Sequence, residues 1–264
     1  MEKPLKRIQR RKEAINQLSE LMSQSDHVVT IHYSCESFYD RADGSSPRIT
    51  SIAICNLGSR QTVSFSIHQI AEIKRIPRDQ IELNYDSLEK EMLDLFYDYV
   101  QTHINHKWLH WNMRDVNYGF QAIAHRYKAL KGSPTYIHES NLFNLSRILI
   151  EIYGENYIGH RRLPKLVEKN KMDHKDFLEG EAEAAAFTNK DYVRLHQSTL
   201  RKVNILANIA ERANDDSLET NANLKDIYGS YPDVVGEFLK ENWIVSGISF
   251  ISAIAGIAAL FMSK

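Results

Sequence analysis

The stretch Val28–Tyr33, Val-Val-Thr-Ile-His-Tyr, constrains the fold of this chain more than any other. Every residue in it is β-branched, aromatic or histidine, and a polar run, Ser34–Ser37, follows at once. That pattern suits a strand buried on both faces, which has to lie inside a sheet covered by other elements. Such a strand delivers side chains to a site at its C-terminal end. Here a carboxylate, Glu36, stands just past the strand, with Tyr33, Phe38 and Tyr39 around it. The stretch therefore reads as the central strand of an α/β domain.

At 264 residues the chain is long enough for one large domain or two modest ones. Its formal net charge of −1 announces no nucleic-acid partner, so any basic site has to be local. The two cysteines, Cys35 and Cys55, fall in strand-like stretches without zinc-type spacing, which favours a reducing compartment over a disulfide scaffold. No secretory signal is visible, because the early charges have no apolar core behind them. The mean hydropathy of −0.42 conceals a contrast. Trp243–Met262 carries no charge and has about the twenty residues that span a bilayer.

Four regions follow: a basic amphipathic helix over 1–24, an α/β body over 25–215, a linker with a short helix over 216–242, and a transmembrane helix over 243–262. In the first, Leu5, Ile8, Ile15, Leu18 and Met22 recur at helical spacing among Lys3, Lys6, Arg7, Arg10, Arg11 and Lys12. Its charged face is either simply solvated or a contact for phosphates or anionic lipid. Strands are expected over 28–33, 49–57 and 61–67, with a Gly58-Ser59 turn making the last two a hairpin. A helix over 85–100, a short strand over 107–110 and a helix over 117–130 come next. Helices over 142–153, 163–170, 177–187 and 190–214 complete the body.

Three strands, a helix, a fourth strand and a helical half resemble a ribonuclease H-like fold, and the body resembles a DEDD-type 3′–5′ exonuclease domain. The resemblance implies an α/β fold whose mixed sheet, three antiparallel strands plus parallel ones, is flanked by helices. It also implies an Asp-x-Glu at the end of the first strand and a third carboxylate near a His-Asn sequence after the fourth. A last carboxylate with a His or Tyr lies on the final long helix, and the four hold two catalytic metal ions. At the first place stands Ser34-Cys35-Glu36, so serine replaces aspartate. The second reads His110-Trp111-Asn112-Met113-Arg114-Asp115, where Asp115 can stand for the third carboxylate. On the last helix His196 takes the place of the general-base histidine, and Arg201, beside Lys202, that of the aspartate. A cation there repels a divalent ion, so neither metal nor catalysis is expected, and no cofactor.

A cleft kept without its metals suits single-stranded nucleic acid. Tyr33, Phe38, Trp111 and Tyr118 are candidates to stack bases. Arg114, Arg147, Arg161, Arg162, Arg201 and Lys202 are candidates to meet phosphates. With Ser34, Cys35, Glu36, Ser37, His110, Asn112, Asp115 and His196 they form the expected ligand site. Plainer readings stand beside these. Trp108 and Trp111 sit at strand spacing and suit the core, Glu36 suits an ordinary surface carboxylate, His196 suits a packed histidine, and Arg161-Arg162 suits a solvated loop.

In the tail, Ser249, Ser252, Gly256 and Ala259 form a stripe of small residues that lets membrane helices approach closely. The alternative is a plain monomeric anchor. An exonuclease-like domain without metal ligands on such a helix resembles the membrane effectors of Hailong-type bacterial antiphage systems. That resemblance implies a homo-oligomeric channel, expected as a tetramer, in the inner membrane with its soluble domain in the cytoplasm. A companion nucleotidyltransferase would supply a single-stranded DNA oligomer, by family expectation oligodeoxyadenylate, that holds the channel inactive until removed. Two other readings remain: a membrane-tethered metal-dependent exonuclease using Glu36, Asp115 and Asp40 or Asp43, and an effector gated by a cyclic nucleotide.

Overall fold

The computed structural model describes residues 4–36, 46–114 and 118–228. Ser37, Phe38, Asp115, the tail 243–262 and its small-residue stripe lie outside the described residues. Among the described residues no helix is long and apolar enough to cross a membrane.

The body is an α/β arrangement around a mixed five-stranded sheet in the order β3-β2-β1-β4-β5. Strand β1 (Val28–Cys35) is central and buried along its whole length, as its sequence demands. It pairs antiparallel with β2 (Ile49–Asn56), which pairs antiparallel with β3 (Thr62–Ser66). On its other side it runs parallel to β4 (Lys107–His110), and β4 runs parallel to β5 (Leu142–Asn144). The expected hairpin meander is present. The fifth strand was not expected: Leu142–Asn144 reads as the start of a helix, because three residues of strand leave no periodicity to recognise.

Helices cover both faces. Even-numbered residues of β1 face α8 (Tyr192–Asn214), where the Thr30 hydroxyl donates to the Val203 carbonyl at 3.1 Å. That side is filled by α1 (Pro4–Ser23), α5 (Leu145–Tyr153) and α6 (Arg162–Lys169), packed with Val28, Ala53, Leu109, Val203 and Leu206. In α1 the buried stripe is Ala14, Leu18 and Leu21, while Ile15 stays exposed. The odd-numbered residues Val29, Ile31 and Tyr33 face a second core built with α2 (Ile67–Ile73), α3 (Tyr85–Thr102) and α4 (Phe120–Ala129). Helix α2 was likewise not expected; of its residues only Ile67 falls in an expected element, the strand over 61–67. Helix α7 (Gly180–Thr188) reaches the C-terminal end of β1, and α9 (Leu224–Tyr228) packs on α1 and α5. Trp108 is fully buried, which assigns it to the core.

Candidate functional site

The site lies where β1 and β4 end. Successive side chains of a strand point to opposite faces, so Ser34, two residues before Glu36, turns toward α8. Its hydroxyl is 2.7 Å from that of Thr199, which is 2.7 Å from that of Ser51 on β2. The Thr199 hydroxyl donates to the Leu195 carbonyl at 2.9 Å and can accept from Ser51, while the Ser34 hydroxyl can donate either to Thr199 or to Glu183 Oε1 at 3.3 Å. Lys202 Nζ donates to the same carboxylate oxygen at 2.7 Å. Both partners are buried, with side-chain exposures of 6% and 5%, so each charge depends on the other.

Next to this pair His32 is buried, and burial, helped by the Lys202 charge, holds its protonation far below the usual histidine range. The Tyr118 hydroxyl lies 3.2 Å from His32 Nδ1, whereas His32 Nε2 finds no partner among the described residues. Glu36 is not an ordinary surface carboxylate. The Arg48 guanidinium grips it with donors at 3.1 and 3.3 Å and reaches Glu82 at 2.7 Å. Arg48 also lies over the rings of Tyr85 and Phe187, which ties the end of β1 to α3 and α7.

A pocket of about 600 Å³ opens above these groups. Cys35, Glu36, Trp111, Asn112, Arg161, Arg162 and Lys202, all expected at the site, line it. Trp111 is half-buried and presents itself to the pocket, unlike Trp108. Arg161 precedes α6 in a left-handed conformation (φ 61°) and pairs with Glu179 at 3.1 Å, an exposed cation at the rim of the pocket.

Other expected site residues lie elsewhere. His196 faces β3, where Nε2 is 3.0 Å from the Ser64 hydroxyl and its ring packs on His68. Burial, with His68 adding to it, lowers its protonation to about 4. Arg201 points outward to Asp173 at 2.9 Å and to the Lys175 carbonyl. The reason is helical: Thr199, Lys202, Val203 and Leu206 share the buried face of α8, and Arg201 is about 100° from Lys202. Tyr33 is buried, stacked on Tyr118 at 4.6 Å, and its hydroxyl accepts the Gly119 N–H, so neither ring offers that shared face to a base. His110 is packed as well; Nδ1 accepts the Met113 N–H at 3.1 Å, and burial, with Arg114 adding to it, lowers its protonation to about 4. Arg114 and Arg147 line a different groove.

Glu183, Thr199 and His32 were missed in the sequence. The signal for the first two was present: stepping back four residues from Val203 and Leu206 gives Thr199 and Lys202, and Glu183 closes the acidic run Glu179–Glu183 against Lys202. His32 carried only its alternation with Ser34.

Among the described residues the carboxylates Glu36 and Glu183 at this site already carry cationic partners, Arg48 and Lys202. Among the described residues no three histidine, cysteine or acidic side chains are grouped to hold a metal. A divalent ion about 4 Å from the Lys202 ammonium would meet roughly 8 kcal/mol of repulsion at an effective dielectric of about 20. The arrangement is chemically a polar pocket with a fixed internal ion pair, the partly buried aromatic side chains of Trp111 and Phe177 in its wall, the latter under the Lys202 ammonium, and guanidinium groups at its rim. Comparison with known proteins finds no matching family model, no matching characterised protein and no matching solved structure.

Proposed function

We propose that the body is a ribonuclease H-like domain of the DEDD exonuclease type whose metal site has been replaced by an ion pair, and that it binds the end of a single-stranded DNA oligomer without cutting it. One observation carries this reading: the Lys202 ammonium bonded to Glu183 and beside Ser34, at the strand end where the resemblance calls for carboxylates and metal. The chain order of antiparallel meander, helices, parallel fourth strand and helical half supports it. The pocket mixes Glu36 and Glu183 with Arg161 and Arg162, which suits one terminal nucleotide. Carboxylates accept from base amino and sugar hydroxyl groups, arginines donate to phosphate, and Trp111 stacks.

By the same resemblance the domain is the sensor of a bacterial antiphage membrane effector. Residues 243–262 would span the inner membrane, with the body in the cytoplasm. The small-residue stripe would bring copies together as a tetrameric channel, and DNA made by a companion nucleotidyltransferase would favour the closed state.

The test uses the full chain in detergent micelles with end-labelled oligodeoxyadenylate, with and without magnesium. The oligomer binds saturably and keeps its length in both conditions. Trp111→Ala and Arg161→Glu each weaken binding about tenfold, within the 1–3 kcal/mol of one stacked base. Magnesium-dependent shortening abolished by Glu36→Ala would establish the exonuclease reading instead. Displacement of the oligomer by a cyclic dinucleotide at lower concentration would favour the cyclic-nucleotide reading.

A further inference from the structure

The pocket at the ends of β1 and β4 sets Glu36, Glu179, Glu181 and Glu183 against Arg161, Arg162 and Lys202. With carboxylates outnumbering cations it is a poor host for more than one phosphate of a strand that carries a charge at every nucleotide. Across the segment Trp111–Arg114 lies a second groove of opposite character. Trp111 and Asn112 line the first pocket, while His110, Met113 and Arg114 line the second. The crest between them is held by Asn112 and Asn144, bonded in both directions: the Asn112 N–H donates to Asn144 Oδ1, and Asn144 Nδ2 donates to Asn112 Oδ1, each at 3.2 Å.

Beyond the crest a chamber of about 420 Å³ beside Arg114 and Arg147 adjoins another of about 690 Å³ beside Tyr97 and Tyr136. The two share Phe120, Gln121, Glu139 and Leu142 in their walls. Among the described residues, their cations Arg114, Arg147 and Lys128 face one carboxylate, Glu139. Tyr136 is 59% exposed, with the Lys128 ammonium 5.4 Å from its ring centroid, so one face is left to take a base. Amides of Gln17, Gln121 and Asn144 add donors and acceptors that suit phosphate oxygens or base edges. Arg147 is half exposed and pairs i,i+4 with Glu151, which Arg10 also holds at 3.4 Å, so Glu151 keeps a cationic partner when Arg147 turns to a phosphate.

We infer that this groove is a second nucleic-acid subsite, which takes the phosphates and bases next to the terminal nucleotide of the same strand. It rests on the reading of the first pocket given above. The strand crosses the Asn112–Asn144 crest, its end held among mixed charges and its backbone along Arg114 and Arg147. Affinity then depends on oligomer length in a way that one pocket alone does not produce.

The experiment measures binding of oligodeoxyadenylates of about two and about eight nucleotides to the full chain in micelles without divalent ions, at several salt concentrations. The longer oligomer binds at least tenfold tighter. Arg147→Gln, Arg114→Gln and Tyr136→Ala, all at exposed positions, each remove part of that gain and leave the short oligomer unchanged. Each arginine variant also lowers the salt slope of the longer oligomer by about 0.7, one phosphate contact on a single strand. Equal affinities for the two lengths, or a gain that these variants leave intact, would overturn the second subsite while sparing the first pocket. Binding sensitive to Arg147→Gln but untouched by Trp111→Ala and Arg161→Glu would sustain the groove and remove the first pocket from the account. Failure of both lengths to bind would overturn both.

Discussion

Lys202 and Glu183 show how one pair can decide the chemistry of a site. Each is buried, and the low polarity around them makes an unpaired charge expensive. Lys202→Met strands the Glu183 carboxylate and lowers unfolding free energy by about 3–5 kcal/mol, measured by urea denaturation. Adding Glu183→Leu to that variant recovers most of the loss, because two apolar side chains of similar size fill the same space. Equal stability of the single and double variants would show that the pair is not coupled. Ser34 and Thr199 belong to the same unit, since their hydroxyls lie between Ser51 and the carboxylate.

Among the elements, α8 and α5 carry the most argument. Helix α8 brings Thr199 and Lys202 to the strand end because they continue its buried stripe, and the same geometry turns Arg201 to Asp173. Counting a fixed number of residues from His196 selects Arg201; counting along the helical face selects Lys202. Helix α5 ends at Gly154, whose φ of 91° suits glycine, and a Cβ there would lie 2.6 Å from the Asp226 carbonyl oxygen of α9. Gly154→Ala therefore both strains the turn and pushes α9 off α5. It costs roughly 1–3 kcal/mol in the same denaturation measurement, and no change in midpoint would contradict this account of the turn.

Across the whole molecule, buried histidines make stability depend on acidity. Burial lowers the protonation of His110 and His196 to about 4 in the folded chain, with Arg114 adding to the first and His68 to the second. In the unfolded chain both return to about 6.5. Between those values the unfolded state takes up protons that the folded state refuses. Their contribution is complete above about pH 6.5 and is lost as pH falls toward about 4, by about 2–3 kcal/mol each. Urea midpoints measured from pH 7 to pH 4.5 fall accordingly, and the fall is smaller in a His196→Gln variant that folds. A flat profile would mean that neither histidine is buried neutral.

The strands Val28–Cys35, Ile49–Asn56 and Lys107–His110 were legible in the chain itself, because a strand covered on both faces writes its burial into consecutive residues, and the partly exposed edge strand Thr62–Ser66 was legible through the Gly58-Ser59 turn before it. So were the long helices, whose stripes repeat over several turns. Strand β5 was not, since its place depends on β4 beside it rather than on its own three residues. The pocket was partly legible: Glu36, Trp111, Asn112 and Lys202 meet there, and Arg114, Arg147, His196 and Arg201 do not. Residue type and local period are properties of the chain. Which of two neighbouring cations on one helix turns inward, and which carboxylate it finds there, was decided only when α7 and α8 packed against β1. That partner is nineteen residues away along the chain and 2.7 Å away in space.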